Sequence, residues 1–456
     1  MEPQFGGNMF RPSHEYAFRL LIILGGLTAT KPVWGQAWDL GSRAAGGVSA
    51  ETSAKLILSF DSRARYENRM GMNFGRDPDS ETGLIRTRLG LAYKPVRWLK
   101  VSGMVQDSRA PWYGSNAPST VRDQADLHQS YFEIRPDAKQ GFGMTAGRMM
   151  LTYGEGRLIG TPDWSNLSRT YDHTRVYYRM GKARFEALLV SPVKIRIGEF
   201  NRPVLGDRVW GTYNAIPGFY KASQLDFYVL RHDQNRPGGF TGGSRAADTD
   251  KMGVNTFGGR MAGPLTSSLR YSTELALQNG KVGPAQHRAA AVYASVTRRF
   301  AVARKTLDVS GEYKYASGTD NPQDTLHAHT FDQLYPANHD KFGHQDLFGW
   351  RNLHNARSLT ILRITKNLSL NFMYDNIWLA SARDSLYNGA GRSIVRSAGG
   401  NAGRHVGQGT DLFGTYKYRH FLVGAGYGYW FRGEFIRNTT PGISPSYVYL
   451  FHTYSF

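Results

Sequence analysis

Apolar and polar residues alternate with a period of two along residues 55–67. Successive side chains of a β-strand point to opposite faces, so this alternation predicts a strand with one apolar and one charged face. The apolar face carries Leu56, Leu58, Phe60, Ala64 and Tyr66, and the polar face carries Lys55, Ser59, Asp61, Arg63, Arg65 and Glu67. The next predicted strand places Ile85, Leu89, Leu91 and Tyr93 opposite Arg86, Arg88 and Gly90. Because arginines recur on the polar face, we expect them to converge on one interior.

The end of the chain has a similar character. Residues 447–456 read YVYLFHTYSF, and counting back by twos from Phe456 gives a largely apolar and aromatic face. A final strand that closes on an aromatic residue is typical of bacterial outer-membrane barrels. Other sheet proteins can also end in this way, so the inference depends on the rest of the chain.

Short and long connections alternate between the predicted strands. Eight tight turns separate nine longer loops, which include residues 68–82, 109–123, 153–173, 280–286 and 316–355. Outer-membrane barrels have this asymmetry, with short periplasmic turns and long extracellular loops. The count predicts an all-β fold, a single transmembrane antiparallel barrel of about 18 strands. Segments 209–216 and 356–365 alternate poorly, so the count could differ by two.

Composition agrees with a barrel. No segment reaches the roughly 18 consecutive apolar residues that a transmembrane helix needs. Mean hydropathy is −0.45 and 20% of the residues are charged, but barrel strands place a polar residue inward at every second position. The 26 Tyr, 24 Phe and 9 Trp suit two interfacial girdles, and the net charge of +20 requires a large electropositive surface.

The N-terminal region predicts export. Arg11 and Arg19 precede an apolar run at residues 20–27, and small residues follow at cleavage-like positions. We therefore predict a signal peptide over 1–35 with cleavage near Gly35 or Ala37, a linker over 36–53 and one barrel over 54–456. The chain has no cysteine, which suits an exported domain that is stable without disulfides.

The inward-facing charges are the candidate functional residues. The predicted pore-lining set is Arg63, Arg65, Arg86, Arg88, Glu133, Arg148 and Arg175, with Asp61 and Glu67 as salt-bridge partners. Guanidinium is always charged and binds carboxylates through two points, so such a ladder would attract a polyanion and relay it between weak sites. Alternatively, these charges pair off as a mesh that stiffens the wall.

Two long loops, 109–123 and 153–169, carry aromatics and arginines and are candidates for gates that fold inward, although each could simply cap the outside. Five histidines lie between residues 316 and 355, but their spacing matches no tight ligand pattern. Packing within a long ordered loop is the favoured interpretation, and no metal site or cofactor is predicted. The motifs of serine hydrolases, Walker loops and zinc proteases are also absent from the sequence.

Several motifs carry a family resemblance. They are Gly147-Arg148, Tyr153-Gly-Glu-Gly-Arg157-Leu-Ile-Gly160, Asp163-Trp-Ser-Asn166, Arg169-Thr-Tyr-Asp-His-Thr-Arg175, Phe331-Asp-Gln-Leu-Tyr-Pro-Ala-Asn-His339, Gly343-His-Gln-Asp346, Trp350-Arg-Asn352 and Val406-Gly407 with Asp411. With these motifs the chain resembles the alginate export family of outer-membrane proteins from about Leu56 to Phe456. The resemblance implies an eighteen-stranded barrel whose arginine-rich, electropositive pore passes an anionic polyuronate.

We therefore predict a monomeric channel in the cell outer membrane for passive passage of an anionic polysaccharide or oligosaccharide. Its partners would be this cargo, outer-membrane lipid and periplasmic secretion or synthesis proteins. A general anion-selective or nutrient porin of the same fold is the first alternative, and a barrel enzyme acting on envelope polymers or an adhesive barrel are others. Nucleic-acid binding is disfavoured because the basic residues are spaced by two along strands.

Overall fold

The computed structural model describes residues 55–136, 139–235, 251–303, 305–321 and 323–456. The predicted signal peptide and linker, residues 1–53, lie outside the described residues. No helix in the described ranges is long and apolar enough to cross a membrane.

Eighteen long strands form the body of the protein. They are β1 Leu56–Met70, β2 Ser80–Val96, β3 Leu99–Arg109, β4 Asp123–Ile134, β5 Gln140–Met149, β6 Tyr171–Met180, β7 Ala183–Lys194, β8 Asp207–Tyr220, β9 Ser223–Gln234, β10 Met252–Pro264, β11 Leu269–Val282, β12 Ala285–Val302, β13 Lys305–Ala316, β14 Leu353–Arg363, β15 Leu368–Leu379, β16 His405–Tyr418, β17 Phe421–Arg432 and β18 Ser446–Ser455. Each of these strands pairs antiparallel with the next along the chain.

The sheet closes on itself because the last strand pairs with the first. β1 and β18 run antiparallel from Asp61 opposite Ser455 to Met70 opposite Ser446. An even number of strands brings both ends of the sheet to the same rim, and closure leaves no edge strand unpaired. The predicted 18-stranded antiparallel barrel is confirmed, and the two poorly alternating segments lie in β8 and β14.

The two faces of the wall differ as the alternation predicts. On β1 and β2, Leu56 and Leu89 are 59% and 54% exposed, whereas Arg63 and Arg86 are buried. An outward apolar face removes hydrocarbon side chains from water when lipid surrounds the barrel. The inward face is left to the charged residues, and the long loops determine what those residues meet.

The connections differ in length at the two rims. The short-turn rim holds residues 97–98, 135–139, 181–182, 221–222, 265–268, 303–304, 364–367 and 419–420. The opposite rim holds residues 71–79, 110–122, 150–170, 195–206, 235–251, 283–284, 317–352, 380–404 and 433–445. One expected loop, 280–286, is instead a two-residue turn, because β11 and β12 continue outward until Val282 pairs with Ala285.

The longer connections contain short elements of their own. These are the 3₁₀ helices Met72–Gly75 and Pro111–Asn116, the helix α1 Glu434–Thr439, the hairpin of Ser385–Tyr387 with Ser393–Arg396, and the two-residue strands Arg202–Pro203 and His327–Ala328. Both two-residue strands lie at the loop-bearing rim. Arg202–Pro203 pairs antiparallel with the end of β7, and His327–Ala328 pairs in parallel with the start of β12.

The closing seam can be tested with an engineered disulfide, since the chain has no native cysteine. Ala64 lies opposite His452 across β1 and β18, within the range of Cα distances that a disulfide bridges. We expect A64C/H452C to form a reducible cross-link that changes migration of the heat-denatured chain in gel electrophoresis. The control A64C/V448C pairs residues four positions out of register and should not cross-link. Cross-linking of the control alone would contradict the register.

Candidate functional site

Two of the long connections fold into the barrel, and we call them the first inner loop (150–170) and the second inner loop (331–350). They are joined through their backbones by a parallel bridge between Ile159 and Tyr335. The Tyr335 N–H donates to the Leu158 carbonyl at 2.7 Å, and the Gly160 N–H donates to the Tyr335 carbonyl at 2.9 Å. The inner loops therefore form one unit.

Glycines in the family-like motif make this close approach possible. A Cβ added at Gly160 would lie 2.8 Å from the Gly156 carbonyl oxygen and 3.0 Å from Ala337 of the other loop. Gly156 itself has φ of 71°, a left-handed conformation that glycine adopts without steric cost. The spacing Gly156…Gly160 thus serves the packing of one inner loop on the other.

Contacts with inward-facing side chains on several strands place the first inner loop inside the barrel. Glu155 accepts from Arg260 of β10 at 3.1 Å, and the Arg157 guanidinium lies 3.3 Å from the ring centroid of Tyr293 on β12. Trp164 meets Phe451 of β18 edge-on, with ring centroids 5.4 Å apart. The prediction that loop 153–169 folds inward agrees with this arrangement.

The four arginines of β1 and β2 meet this loop at its tip. Arg63 donates to the carbonyl oxygens of Asp163, Trp164 and Ser165 at 2.8, 2.9 and 3.0 Å. The Arg65 guanidinium covers the Trp164 ring at 4.2 Å and pairs with Glu67 at 2.6 Å. Backbone carbonyls and one aromatic ring therefore stabilise the positive charges of Arg63 and Arg65.

Asp163 is the carboxylate at the centre of this cluster. It pairs with Arg86 at 3.0 Å and Arg88 at 2.9 Å, while Asp61 reaches Arg86 from the wall at 3.0 Å. Burial alone would raise the pKa of Asp163, but the charges of Arg86, Arg88 and Arg63 hold it well below the usual range. Its side chain is nevertheless 55% exposed, so the carboxylate lies deep in the barrel and still contacts water.

Strand register creates this concentration of positive charge. Arg63 lies directly opposite Arg86 across β1 and β2, and Asp61 lies opposite Arg88. Like charges directly opposite each other destabilise a sheet, so Arg63 and Arg86 need compensation from outside the two strands. The loop carbonyls and Asp163 supply it. The geometry brings the four predicted arginines together with both predicted partners, Asp61 and Glu67.

Arg175 and Glu133 face the interior at other places. Arg175 lies 3.7 Å from Glu186, and Glu133 accepts from Arg135 at 2.8 Å beside a short turn. Both are on the inward faces of their strands, but neither joins the cluster on β1 and β2.

Arg148 differs from the expectation that it lines the pore. It forms a two-point ion pair with Asp172 at 2.7 and 3.0 Å, on the face of β6 that also carries the 43% exposed Val176. The pairing of β5 with β6 stays in register from Phe142 to Arg148, so Arg148 shares the face of the 72% exposed Phe142, and its side chain lies under Phe200 of loop 195–206. Arg148 therefore belongs to the outer face near the loop-bearing rim.

The second inner loop contributes a stack of rings that sequence reasoning did not assign. His339 stacks on Trp164 with centroids 4.5 Å apart, and His344 stacks on His339 at 4.6 Å. The His344 ring is hydrogen-bonded to the Tyr449 hydroxyl of β18 at 2.8 Å. The loop histidines thus pack as aromatic rings. Among the described residues no group of three or more His, Cys, Asp or Glu is arranged to hold a metal ion.

The other candidate gate, residues 109–123, lies mainly on the outside. Trp112 packs against Tyr66 on the outward face of β1 with centroids 5.6 Å apart, and it is 55% exposed. Asn166 of the first inner loop donates to the Val121 carbonyl at 2.9 Å, so the end of this connection contacts the first inner loop. The aromatic and basic residues of this loop predicted a gate, but its tryptophan packs on the outward face of the barrel.

Several cations elsewhere in the interior have a carboxylate close by. Arg260 pairs with Asp226 at 3.2 Å and Lys314 pairs with Glu312 at 2.9 Å, on strands β9 to β13. Arg357 donates to Asp375 at 2.8 and 3.0 Å, with both side chains buried. These cations are balanced by carboxylates of the wall itself, whereas Arg63 and Arg88 contact the first inner loop.

The family model for alginate export matches residues 54–449 of this chain, which is most of its length. The chain belongs to the alginate export family. It is an outer-membrane β-barrel, and the family and the fold are those of a channel. A search among curated proteins finds no match.

Solved structures with the same fold are outer-membrane proteins. The outer membrane protein OpdK of Pseudomonas aeruginosa is 11% identical, with a TM-score of 0.60 over 88% of this chain and 98% of that one. OccK11 of the same organism is 12% identical, with a TM-score of 0.59 over 88% and 96%. OccK2, solved in complex with glucuronate, is 11% identical, with a TM-score of 0.58 over 88% and 98%. At this identity they show the fold alone.

Removing the Asp163 charge should release the first inner loop. We expect D163N to increase the open fraction in single-channel recordings, because the Arg86 and Arg88 guanidinium groups lose their shared counterion. The pKa of Asp163 is depressed, so its ion pairs persist above the ordinary carboxyl pKa of about 4 and weaken only as pH falls toward the lower value. The wild type should therefore keep its open fraction between pH 7 and 5. A rise over that interval would contradict the assignment.

Trp164 should hold the inner loops to the wall more strongly than Trp112 holds its own loop. W164A removes the contacts with Arg65 and His339, together worth about 2 kcal/mol, or roughly a thirtyfold shift toward the open state. The matched control W112A removes a tryptophan from an outward-packed loop and should leave the recordings unchanged. Equal effects of both variants would show that the Trp164 contacts do not control opening.

Proposed function

We propose that this member of the alginate export family is a passive outer-membrane channel for an anionic, alginate-like polysaccharide or oligosaccharide. The observation that carries the proposal is the cluster of Arg63, Arg65, Arg86 and Arg88 inside the barrel. Two of these guanidinium groups, Arg86 and Arg88, pair with the water-exposed Asp163 carboxylate, and Arg63 donates to the backbone carbonyl of the same residue. A uronate unit carries the same carboxylate chemistry and can take the place of that side chain.

Release is built into the same cluster. Asp61, Glu67 and Asp163 already occupy part of the hydrogen-bonding capacity of the arginines, so a passing carboxylate competes with them. A conducting pore needs attraction strong enough for admission and weak enough for exit. An exchange of one carboxylate for another keeps the number of ion pairs nearly constant. Passage then requires no cofactor and no energy input from this chain.

The inner loops set the condition for passage. A polymer cannot reach the arginines of β1 and β2 while residues 163–165 cover them, so the first inner loop must move. In this mechanism Trp164 and Asp163 hold the gate closed. When they leave, the arginines that they contacted become the binding site for the polymer. The channel function is proposed for a monomer, since the barrel closes within one chain.

A general porin for small anions is the second candidate. The fold neighbours are of the Occ and Opd type, and OccK2 is described in complex with glucuronate, a single uronate. The same guanidinium chemistry would serve a small uronate and a polymer. The length of the ligand separates the two functions, because only a polymer can occupy several sites along the lumen at once.

Block by uronate chains tests the proposal. We expect oligomannuronate to block the open channel in planar bilayers, with a residence time that increases with chain length. The variant R63Q/R65Q/R86Q/R88Q should lose most of this length dependence and lower the preference for anions in reversal-potential measurements. It should retain heat-modifiable migration, because barrel closure does not depend on these side chains.

The control for charge alone is R109Q/R196Q/R208Q/R231Q. These four arginines form ion pairs near the loop-bearing rim, and their replacement removes the same total charge. Anion preference and block should stay close to the wild type. A wild-type channel that passes chloride but is indifferent to uronate chains would favour the general porin. Shortened uronate products after incubation with the purified protein would instead show an enzyme.

A further inference from the structure

Basic residues are unevenly distributed between the two ends of the barrel. Among the described residues, the eight short connections contain seven basic residues and no acidic residue. The described residues of the nine connections at the other rim include 14 basic and 12 acidic residues. The loop-bearing rim is therefore nearly balanced in charge, whereas the short-turn rim is strongly positive for its size.

The cations of the short-turn rim form a ring. Six of the eight turns hold one exposed basic residue each, namely Arg97, Lys139, Lys182, Lys221, Lys366 and Arg419. The other two turns are flanked by the exposed Arg270 and Lys305. None of these eight forms an ion pair with another described residue, in contrast to the arginines inside the barrel. Six turns thus present a positive charge without an ion-pair partner among the described residues, and the other two have one at the start of the following strand.

Backbone conformation adds a second observation. Lys221 and Arg419 both have φ of 52°, in the left-handed region where glycine would avoid a cost of about 1 kcal/mol or more. In the turn at residues 181–182 a glycine takes the left-handed position, with φ of 61°, and Lys182 follows it. Two turns therefore keep a cation at a position where glycine would be more stable. The turn at residues 303–304 places the neutral Ala303 in the same region, with φ of 45°, so the left-handed position does not itself require a charge.

We infer that the basic ring captures the anionic polymer at the periplasmic mouth, before it reaches the arginines of β1 and β2. The inference rests on the proposed function and assigns a separate step to the rim. A ring of one sign around an opening focuses the field and raises the local concentration of counterions, which accelerates association by ten- to a thousandfold. The interior cluster determines residence time, and the ring determines the rate of arrival from one side.

Phosphates of the inner-leaflet lipids are the competing counterions. Lys221 and Arg419 lie 5.3 Å from the rings of Tyr220 and Tyr418, so part of the ring borders the aromatic girdle. The cations nevertheless surround the mouth on all eight turns, and they include the turn tips beyond the strand ends. A polyanion threading that mouth meets all of them, whereas each lipid meets one or two.

Oriented bilayer recordings with oligomannuronate test this inference. For the wild type at low salt, the capture rate should be higher when the oligomer is added on the short-turn side. K139Q/K182Q/K221Q/K366Q/R419Q should lower that rate at least about tenfold and abolish most of its salt dependence. Residence time and capture from the opposite side should not change. The matched control R76Q/K251Q/K281Q/R383Q/R392Q removes five exposed cations near the other rim and should leave short-turn capture intact.

The outcomes separate the two proposals. Absence of block from either side would overturn the channel function itself. Block with equal capture rates from both sides, or capture unaffected by the five turn substitutions, would overturn only the role of the ring. Unchanged capture together with lost binding of phosphatidylglycerol in native mass spectrometry would show that the ring is a lipid contact. Normal heat-modifiable migration of the variant confirms that the barrel is intact in each case.

Discussion

The interior of this barrel depends on the repulsion between guanidinium groups on adjacent strands. Register sets Arg63 against Arg86 on one face of the sheet, an arrangement that two strands alone would not tolerate. The first inner loop neutralises the conflict with three carbonyl oxygens and the Asp163 carboxylate. The position of the loop tip follows from this electrostatic requirement, whereas the contact with the second inner loop depends on main-chain hydrogen bonds.

The protein separates structural from exchangeable charge. Pairs such as Arg357 with Asp375 are buried on both sides, so breaking them would leave an uncompensated charge in the wall. Asp163 is different because its carboxylate contacts water and belongs to a loop. When Asp163 leaves, Arg86 keeps its pair with Asp61 and Arg88 becomes available to another carboxylate, an arrangement that suits a channel that must exchange ligands.

Period-two alternation and the lengths of the connections were sufficient to predict the closed 18-stranded sheet, because both follow from strand geometry. They also brought Arg63, Arg65, Arg86 and Arg88 to one face. Arg148 was expected to line the pore, but it lies an even number of residues after Phe142 and shares the outward face of that residue, so alternation counted from Phe142 would have placed it on the outer face. The loop between β11 and β12 was overestimated for a related reason, since strands can extend beyond the membrane. Contacts between distant loops, such as Trp164 with His339, have no signature in a single sequence.

The parallel bridge between the inner loops has a mechanical consequence. One loop leaves the wall after β5 and the other after β13, yet Ile159 and Tyr335 join them through main-chain hydrogen bonds. Neither segment can be displaced alone without stranding buried amides that have no solvent to replace their partners. The two inner loops therefore form a single unit, and each loop is attached to the barrel wall at both of its ends. We expect the two loops to move together, so that the current through the pore changes between discrete levels.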